Sequence, residues 1–342
     1  TAMRKDIELG VIGLGMGKHV LRVNHDATSR MIVRGICDLD ERKLSDHARE
    51  HDIELATTHY EALLERDDIQ VVGIYSPDHL HADQILAALA AGKHVVVTKP
   101  MVNSMAEAEQ VIAAVRRSGK TLLVAQTQRY RPENMATKRL LDAGEIGDVV
   151  FVQTGYVHDM RPVLATPGRD WRRDPAKKDW LVGAACHAID LALWFGGNVD
   201  TVSAYANDGN VLPDREGGNN FLINLTFQNG AVGRVLALFS AVRPPPGLST
   251  ISVCGTRGSV VGSRVSRDGP DGVEESELPV EDSAGGGHAS ETTRILRHME
   301  RCIIGEECPE VSAVQAARTL AVAIAAKESI RTGKSVRPRM AF

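Results

Sequence analysis

Over the first 126 residues, short apolar runs alternate with amphipathic segments, a pattern that predicts a parallel sheet covered by helices on both faces. The runs are Ile7-Glu8-Leu9-Gly10-Val11-Ile12, Met31 to Ile36, a weak one near 53–57, Ile69 to Tyr75, Lys93 to Val97 and Thr121 to Ala125. Between them lie a helix-compatible segment, Lys18 to Asp26, and predicted helices over about 40–51, 60–66, 80–91 and 104–118. From Asp148 the texture changes to longer strands, at about 148–157, 199–206, 219–228, 231–240, 248–254 and 258–263, with Asn229-Gly230 marking a tight hairpin. This reads as a large open, mainly antiparallel sheet. One helix interrupts it, from Leu181 to Phe195, and two more, over 289–304 and 312–332, finish the chain. The polar, glycine-rich stretch Pro270 to Gly287 reads as a loop, and no internal repeat is present.

A length of 342 residues suits two domains, and 43% apolar with 25% charged residues is ordinary for a globular protein. A formal net charge of −4 gives no electrostatic case for nucleic acid as a partner. No apolar run approaches the roughly 20 residues of a membrane span, and no signal-peptide core is visible. The opening Thr1-Ala2-Met3 reads as a remnant ahead of a native start at Met3. Cys37, Cys186, Cys254, Cys302 and Cys308 are an odd number with no close pairing, and the twelve histidines are spread out. No metal site is expected from them, and reduced thiols in a cytoplasmic protein are the plain inference.

The first run breaks into Gly13-Leu14-Gly15-Met16-Gly17 before the segment from Lys18. Strand, glycine turn and helix start in that order form a place where a diphosphate can approach bare backbone N–H groups. Tight turns also want glycine for packing, so the turn alone is ambiguous. Asp38, 21 residues beyond Gly17, stands where a dinucleotide fold puts the acid that binds ribose hydroxyls. Its competing role is to cap the helix starting near Asp40. A carboxylate there repels a 2′-phosphate and favours NAD, while Arg42 and Lys43 close by keep NADP open. Ligands in such sheets bind at the carboxyl ends of strands. That places Gly13, Leu14, Gly15, Met16, Gly17, Asp38, Ser76, Pro77, His79, His81, Lys99 and Gln126 among the candidate cofactor contacts. Residues 1–126 are thus expected to form an NAD(P)-binding α/β Rossmann domain, and 127–342 a C-terminal α+β domain for substrate binding and oligomerisation.

The segment from Leu181 to Phe195 is apolar nearly all round and must be buried. His187 and Asp190 within it share a face, and Gly183 one turn earlier clears space above His187. Buried ionisable groups are costly unless paired or facing a cavity, so either a satisfied core pair or a working site fits.

The sequence resembles the Gfo/Idh/MocA oxidoreductases, the family of glucose–fructose oxidoreductase and inositol dehydrogenase, over nearly its whole length. The likeness is carried by the glycine turn, by Ser76-Pro77-Asp78-His79-Leu80-His81, by Ala91 to Val95 leading to Thr98-Lys99-Pro100, by Arg129-Tyr130 with Pro132, by Gly144 to Asp148, by His187 to Leu191 and by Ala325 to Gly333. The resemblance implies a Rossmann domain followed by an α/β domain with an open sheet, NAD(P), a sugar, cyclitol or glycoside as substrate, and a homodimer or homotetramer. It implies that Lys99 and His187 are the catalytic pair, with His187 taking a hydroxyl proton and Lys99 stabilising the alkoxide, and that Asp190 accepts a bond from a neighbouring substrate hydroxyl. His158 and, in the loop Arg161 to Arg173, Arg172 are candidates to line the substrate pocket.

This chain departs from the family pattern in its shortened glycine turn, in Thr98 where a glutamate precedes the lysine, and in Gly183 where many members carry an aspartate. A dehydrogenase is the first reading. Hydrolysis, elimination or epimerisation through transient oxidation is a second, and a non-catalytic dinucleotide sensor a third.

Overall fold

The computed structural model describes residues 6–166, 169–209, 218–280 and 287–342. By packing, the chain forms two compact units, Thr1–Thr127 with Gly285–Ala317 and Gln128–Ala284 with Arg318–Phe342. The sequence reading has one crossing, at 126/127; the packing adds a return segment.

The first unit is built on β1 (Ile7–Ile12), β2 (Met31–Cys37), β3 (Leu55–Thr57), β4 (Val71–Ile74), β5 (His94–Thr98) and β6 (Leu122–Ala125). All pair in parallel in the order β3-β2-β1-β4-β5-β6. This is the doubly wound arrangement, whose order reverses between β1 and β4, so a crevice opens at their carboxyl ends. β1, β4 and β6 are buried almost continuously, as strands covered on both faces must be. The covering helices include α1 (Glu41–His51), α2 (Glu61–Leu64), α3 (His81–Ala90) and α4 (Met105–Ser118). Ser104 and Glu107 close a capping box on α4, and Gly119 ends it with φ 64°.

The segment Lys18 to Asp26 departs from expectation. It is two 3₁₀ pieces, Gly17–His19 and Leu21–His25. The Asn24 side chain gives a physical reason for the stop: it accepts from Val33 N at 2.7 Å and donates to Val33 O at 3.1 Å, pinning the segment to β2. A long helix dipole therefore does not stand behind the glycine turn.

The second unit holds α5 (Pro132–Asp142), α6 (Arg161–Leu164), α7 (Trp180–Gly183), α8 (Cys186–Gly196) and an eight-stranded sheet in the order β14-β13-β12-β11-β7-β10-β9-β8. Its strands are β7 (Val149–Val157), β8 (Val199–Asn207), β9 (Asn220–Phe227), β10 (Val232–Leu238), β11 (Ser252–Gly255), β12 (Gly258–Val261), β13 (Arg264–Gly269) and β14 (Gly272–Glu277). Only β7 and β10 pair in parallel. Burial alternates strictly along β9 and β10, so one face of the sheet is covered and the other open.

Two expectations are corrected here. Part of the stretch read as a loop, Pro270 to Gly287, is strand β14, every residue of which is exposed; 281–286 lie outside the described residues. The single helix read over Leu181 to Phe195 is two, α7 and α8, broken at Ala184 with φ −130°.

The remaining helices are α9 (His288–Ile303) and α10 (Ala313–Thr332). The buried Glu300 carboxylate on α9 accepts from the Ser29 hydroxyl, from Arg30 N at 3.0 Å and from Met31 N at 3.1 Å, which fastens α9 to the start of β2. Val124 N donates to Val311 O at 2.9 Å, tying the return segment to β6 as well.

Burial pushes the Cys37 thiol up to about 12 and Cys302 up to about 11, so neither is a thiolate near neutral pH. Among the described residues no helix is long and apolar enough to cross a membrane.

Candidate active site

In the first unit, the expected cofactor stretches all follow the carboxyl ends of strands. Gly13 has φ +87°, and a Cβ there would stand 2.8 Å from the backbone of Tyr75 and Ser76, so the turn has no room for another residue type. At Gly17 a Cβ would meet Val11 Cγ1 at 2.9 Å. Gly15 is different: it is exposed, and nothing lies within 4 Å of its Cβ position. The turn therefore presents bare backbone at its tip, with Met16 beside it.

Asp38 sits just past β2. Its Oδ2 accepts from Leu14 N at 2.7 Å and its Oδ1 from Asp40 N at 3.0 Å, while Gly13 N donates to Cys37 O at 2.7 Å. The cap of α1 is Asp40, which accepts from Arg42 N and Lys43 N. Capping is therefore not the work of Asp38, and the same carboxylate that orders the turn retains lone pairs for ribose hydroxyls. Asp38→Ala is expected to weaken NAD binding about tenfold or more and to narrow the preference for NAD over NADP, because a charge-assisted hydrogen bond carries roughly 1.5–3 kcal/mol. Titrating both cofactors by fluorescence checks this, and an unchanged NAD/NADP ratio would sink the ribose assignment.

After β4, Ser76 donates to Gln84 Oε1 at 2.5 Å, Pro77 leads into a 3₁₀ turn over Asp78–Leu80, and His79 is exposed on it. His81 is corrected. It is fully buried, with Nδ1 2.7 Å from Pro100 O and Nε2 3.0 Å from Ser76 O. Both ring nitrogens face backbone carbonyls, so His81 braces the turn after β4 against the turn after β5 and offers a cofactor no free ring nitrogen. That second turn is Thr98-Lys99-Pro100, with a cis Lys99–Pro100 bond and Lys99 half-buried.

Gln126, just beyond β6, is 3% exposed, and its Oε1 has no hydrogen-bond partner among the described residues. Leaving such an atom unmatched costs about 1–3 kcal/mol, which makes it a candidate to accept a hydrogen bond from a bound group. The open tip at Gly15 and the orphaned amide at Gln126 both fit a dinucleotide along these strand ends.

In the second unit, His187 lies in the first turn of α8, 4% exposed, with its ring 4.9 Å from that of Tyr156 on β7. Tyr156 also lies 6.1 Å from the ring of His158, which follows β7 directly. The structure thus gathers His187, Tyr156 and His158; Tyr156 was not foreseen. Thr154 donates to Ala188 O at 2.8 Å and sets α8 against β7. Behind them, Phe239 contacts both Tyr156 and Trp180.

Asp190 is also corrected. It is 0% exposed, and Arg129 meets both its oxygens, at 2.7 and 2.9 Å, while Thr319 donates to it at 3.2 Å. The carboxylate belongs to a buried network and is closed to a substrate hydroxyl. Arg129 lies in addition over the Trp194 ring, 5.1 Å from its centre. Asp179 is likewise engaged, capping α7 through Leu181 N and Val182 N and pairing with Lys327 at 2.8 Å.

Gly183 does not lie one turn before His187, because the helix breaks between them. Its carbonyl accepts from Lys178 Nζ at 2.8 Å, and Lys178 is 2% exposed. A buried lysine just ahead of an apolar helix is the signal that could have found it. Lys178 and Arg172 both stand over the Trp171 ring, at 5.6 and 4.7 Å, with Arg172 half-buried. Residues 167–168 of this loop lie outside the described residues.

Comparison with known proteins bears on both units. Residues 7–126 match the family described as "Oxidoreductase family, NAD-binding Rossmann fold", and 138–337 match "Oxidoreductase family, C-terminal alpha/beta domain". The chain is 30% identical over 263 residues to the uncharacterized oxidoreductase YrbE of Bacillus subtilis, covering 75% of this chain and 74% of that one. It is 27% identical over 297 residues to levoglucosan dehydrogenase of Pseudarthrobacter phenanthrenivorans, covering 77% and 75%. The solved structure of a levoglucosan dehydrogenase in complex with NADH superimposes with a TM-score of 0.85 at 23% identity, covering 97% of this chain and 99% of that one, a likeness of fold. Matched across both of its domains, the chain belongs to the Gfo/Idh/MocA oxidoreductases, and its first domain is the family's NAD-binding Rossmann fold.

Proposed function

We propose that this oxidoreductase acts on a secondary alcohol of a sugar, cyclitol or glycoside, with Lys99 and His187 as its catalytic residues. The observation that carries the reading is His187: an ionisable ring, 4% exposed, packed 4.9 Å from the ring of Tyr156 on a helix whose other ionisable group, Asp190, is already paired with Arg129, so that an idle histidine there would be costly. Bound NAD supplies the acceptor for hydride at its nicotinamide ring. His187 takes the hydroxyl proton as that hydride leaves the same carbon, a role worth about 10²–10⁴ in rate. Lys99 stabilises the developing alkoxide, a contribution on the order of 3 kcal/mol. Gly15, Met16, Asp38, Ser76, Pro77, His79 and Gln126 hold the cofactor, and His158 and Arg172 line the substrate side. Asp190 acts through Arg129 by fixing α8, not on the substrate.

The relative named for a sugar-type substrate, levoglucosan dehydrogenase, supports the substrate class. We place the enzyme in the cytoplasm and expect a homodimer or homotetramer. The open face of the second sheet supports the latter, since Tyr205, Leu222 and Leu236 lie in one register row there, with Tyr205 66% exposed.

A panel of sugars, inositols and glycosides, assayed with NAD and NADP by absorbance of the reduced cofactor, tests the reading. Net reduction with at least one member is expected. Product formed without net reduction would point to transient oxidation, and silence across the panel to a sensor.

A further inference from the structure

Four residues of the first unit come together on the side of α1: His25 from the 3₁₀ segment, and His47, Glu50 and His51 from the last turns of the helix. The helix brings the last three onto one face, because positions three and four apart are neighbours. His47 Nδ1 lies 3.4 Å from Glu50 Oε2, and His51 Nε2 lies 3.8 Å from the same oxygen. All three ligand-type atoms fall within 4.8 Å of one another. Tetrahedral zinc bonds of about 2.0–2.1 Å would set them about 3.4 Å apart, so small side-chain adjustments complete the set.

Two further observations set this group apart from a solvated helix face. His47 Nδ1 is shut off from water and makes no hydrogen bond among the described residues. His51 is 8% exposed, and its Nδ1 lies 3.1 Å from His25 Nε2. When that contact carries the His51 proton, Nε2 is left as a bare lone pair facing the Glu50 carboxylate. That is how metal-ligating histidines are held, with the second nitrogen donating to an outer partner that fixes the tautomer. Asn24 donates to His51 O at 3.2 Å and holds the backbone in place.

We propose that His47, Glu50 and His51 form a binding site for one borderline transition-metal ion, of which zinc is the type, with His25 as the outer partner that orients His51. Two imidazoles and a carboxylate suit zinc, cobalt or nickel rather than calcium or magnesium, which take oxygen ligands. Glu50 and one side of His47 are open to solvent, which leaves the fourth position for water. The ion ties together the last two turns of α1, with His25 of the 3₁₀ segment behind His51, and the site stands apart from the dehydrogenase chemistry.

The test uses the full, untagged chain after chelator treatment. Zinc titrated by calorimetry is expected to bind once per chain, and a hundredfold excess over Kd is expected to raise Tm by several degrees. Cobalt is expected to give the visible absorption bands of a low-coordinate nitrogen and oxygen site. His47→Ala and Glu50→Gln, both on the outer side of α1, are each expected to weaken binding at least tenfold while far-UV circular dichroism is unchanged. His25→Ala should weaken it about 10–100-fold, as an outer-partner loss does. The proposal is overturned if no saturable binding occurs up to about 1 mM zinc. It is equally overturned if a His47→Ala/Glu50→Gln chain binds as tightly as the parent.

Discussion

Alanine in place of His187 is expected to lower kcat by about 10²–10⁴, the range for loss of a positioned general base. The NAD affinity of the same variant should stay within a factor of about two, because none of the residues proposed to hold the cofactor is altered. Lys99→Ala is expected to cost about 100-fold or more in kcat through loss of the cation beside the alkoxide. The two losses should not multiply in the double variant, since groups that serve one transition state fail together. The measurement is steady-state turnover on the best substrate of the panel, with NAD binding followed separately by fluorescence. A turnover near that of the parent in the double variant would remove both residues from the chemistry. The tyrosine beside His187 adds a finer expectation: Tyr156→Phe keeps the ring packing and should cost far less than either.

Unfolding should report the largest stability effect at Arg129. Arg129→Ala is expected to destabilise the second unit by about 3–5 kcal/mol, because Asp190 is then left as a buried charge without its main partner. Arg129→Met with Asp190→Leu should cost much less than Arg129→Ala alone, since replacing a buried pair by apolar groups of similar volume is often neutral. Denaturant unfolding followed by far-UV circular dichroism checks both, with a double-mutant cycle isolating the pair. An Arg129→Ala chain within about 1 kcal/mol of the parent would show that Asp190 is satisfied by other means. The same variant should lose activity faster than it loses fold, because Asp190 lies one turn along α8 from His187.

The sequence announces those elements whose burial is periodic or continuous. β9 reads clearly because its residues alternate between core and solvent, and β1 because it is apolar and buried at every position but Glu8. β14 is silent for the opposite reason: all of its residues are exposed, so no apolar face writes a period into it. The division of the Leu181 to Phe195 segment into α7 and α8 is hidden because both pieces are buried and apolar, and hydrophobicity does not mark where a buried helix breaks. α9 reads as a helix but not as a partner of the first unit. That membership depends on Glu300 meeting three groups at Ser29 to Met31, some 270 residues away in the chain.

The site divides in the same way. Residue type and spacing alone determined the glycine turn, Asp38 at its proper distance, Lys99 at a strand end and His187 on a buried helix, because local backbone chemistry and the carboxyl-end rule act over short stretches. Only the tertiary structure decided the partners. It gave Asp190 to Arg129, His81 to the carbonyls of Ser76 and Pro100, the Gly183 carbonyl to Lys178, and His51 to His25. A polar side chain's role depends on which complementary atom the fold brings within about 3 Å of it, and that distance is set by long-range packing, not by position along the chain.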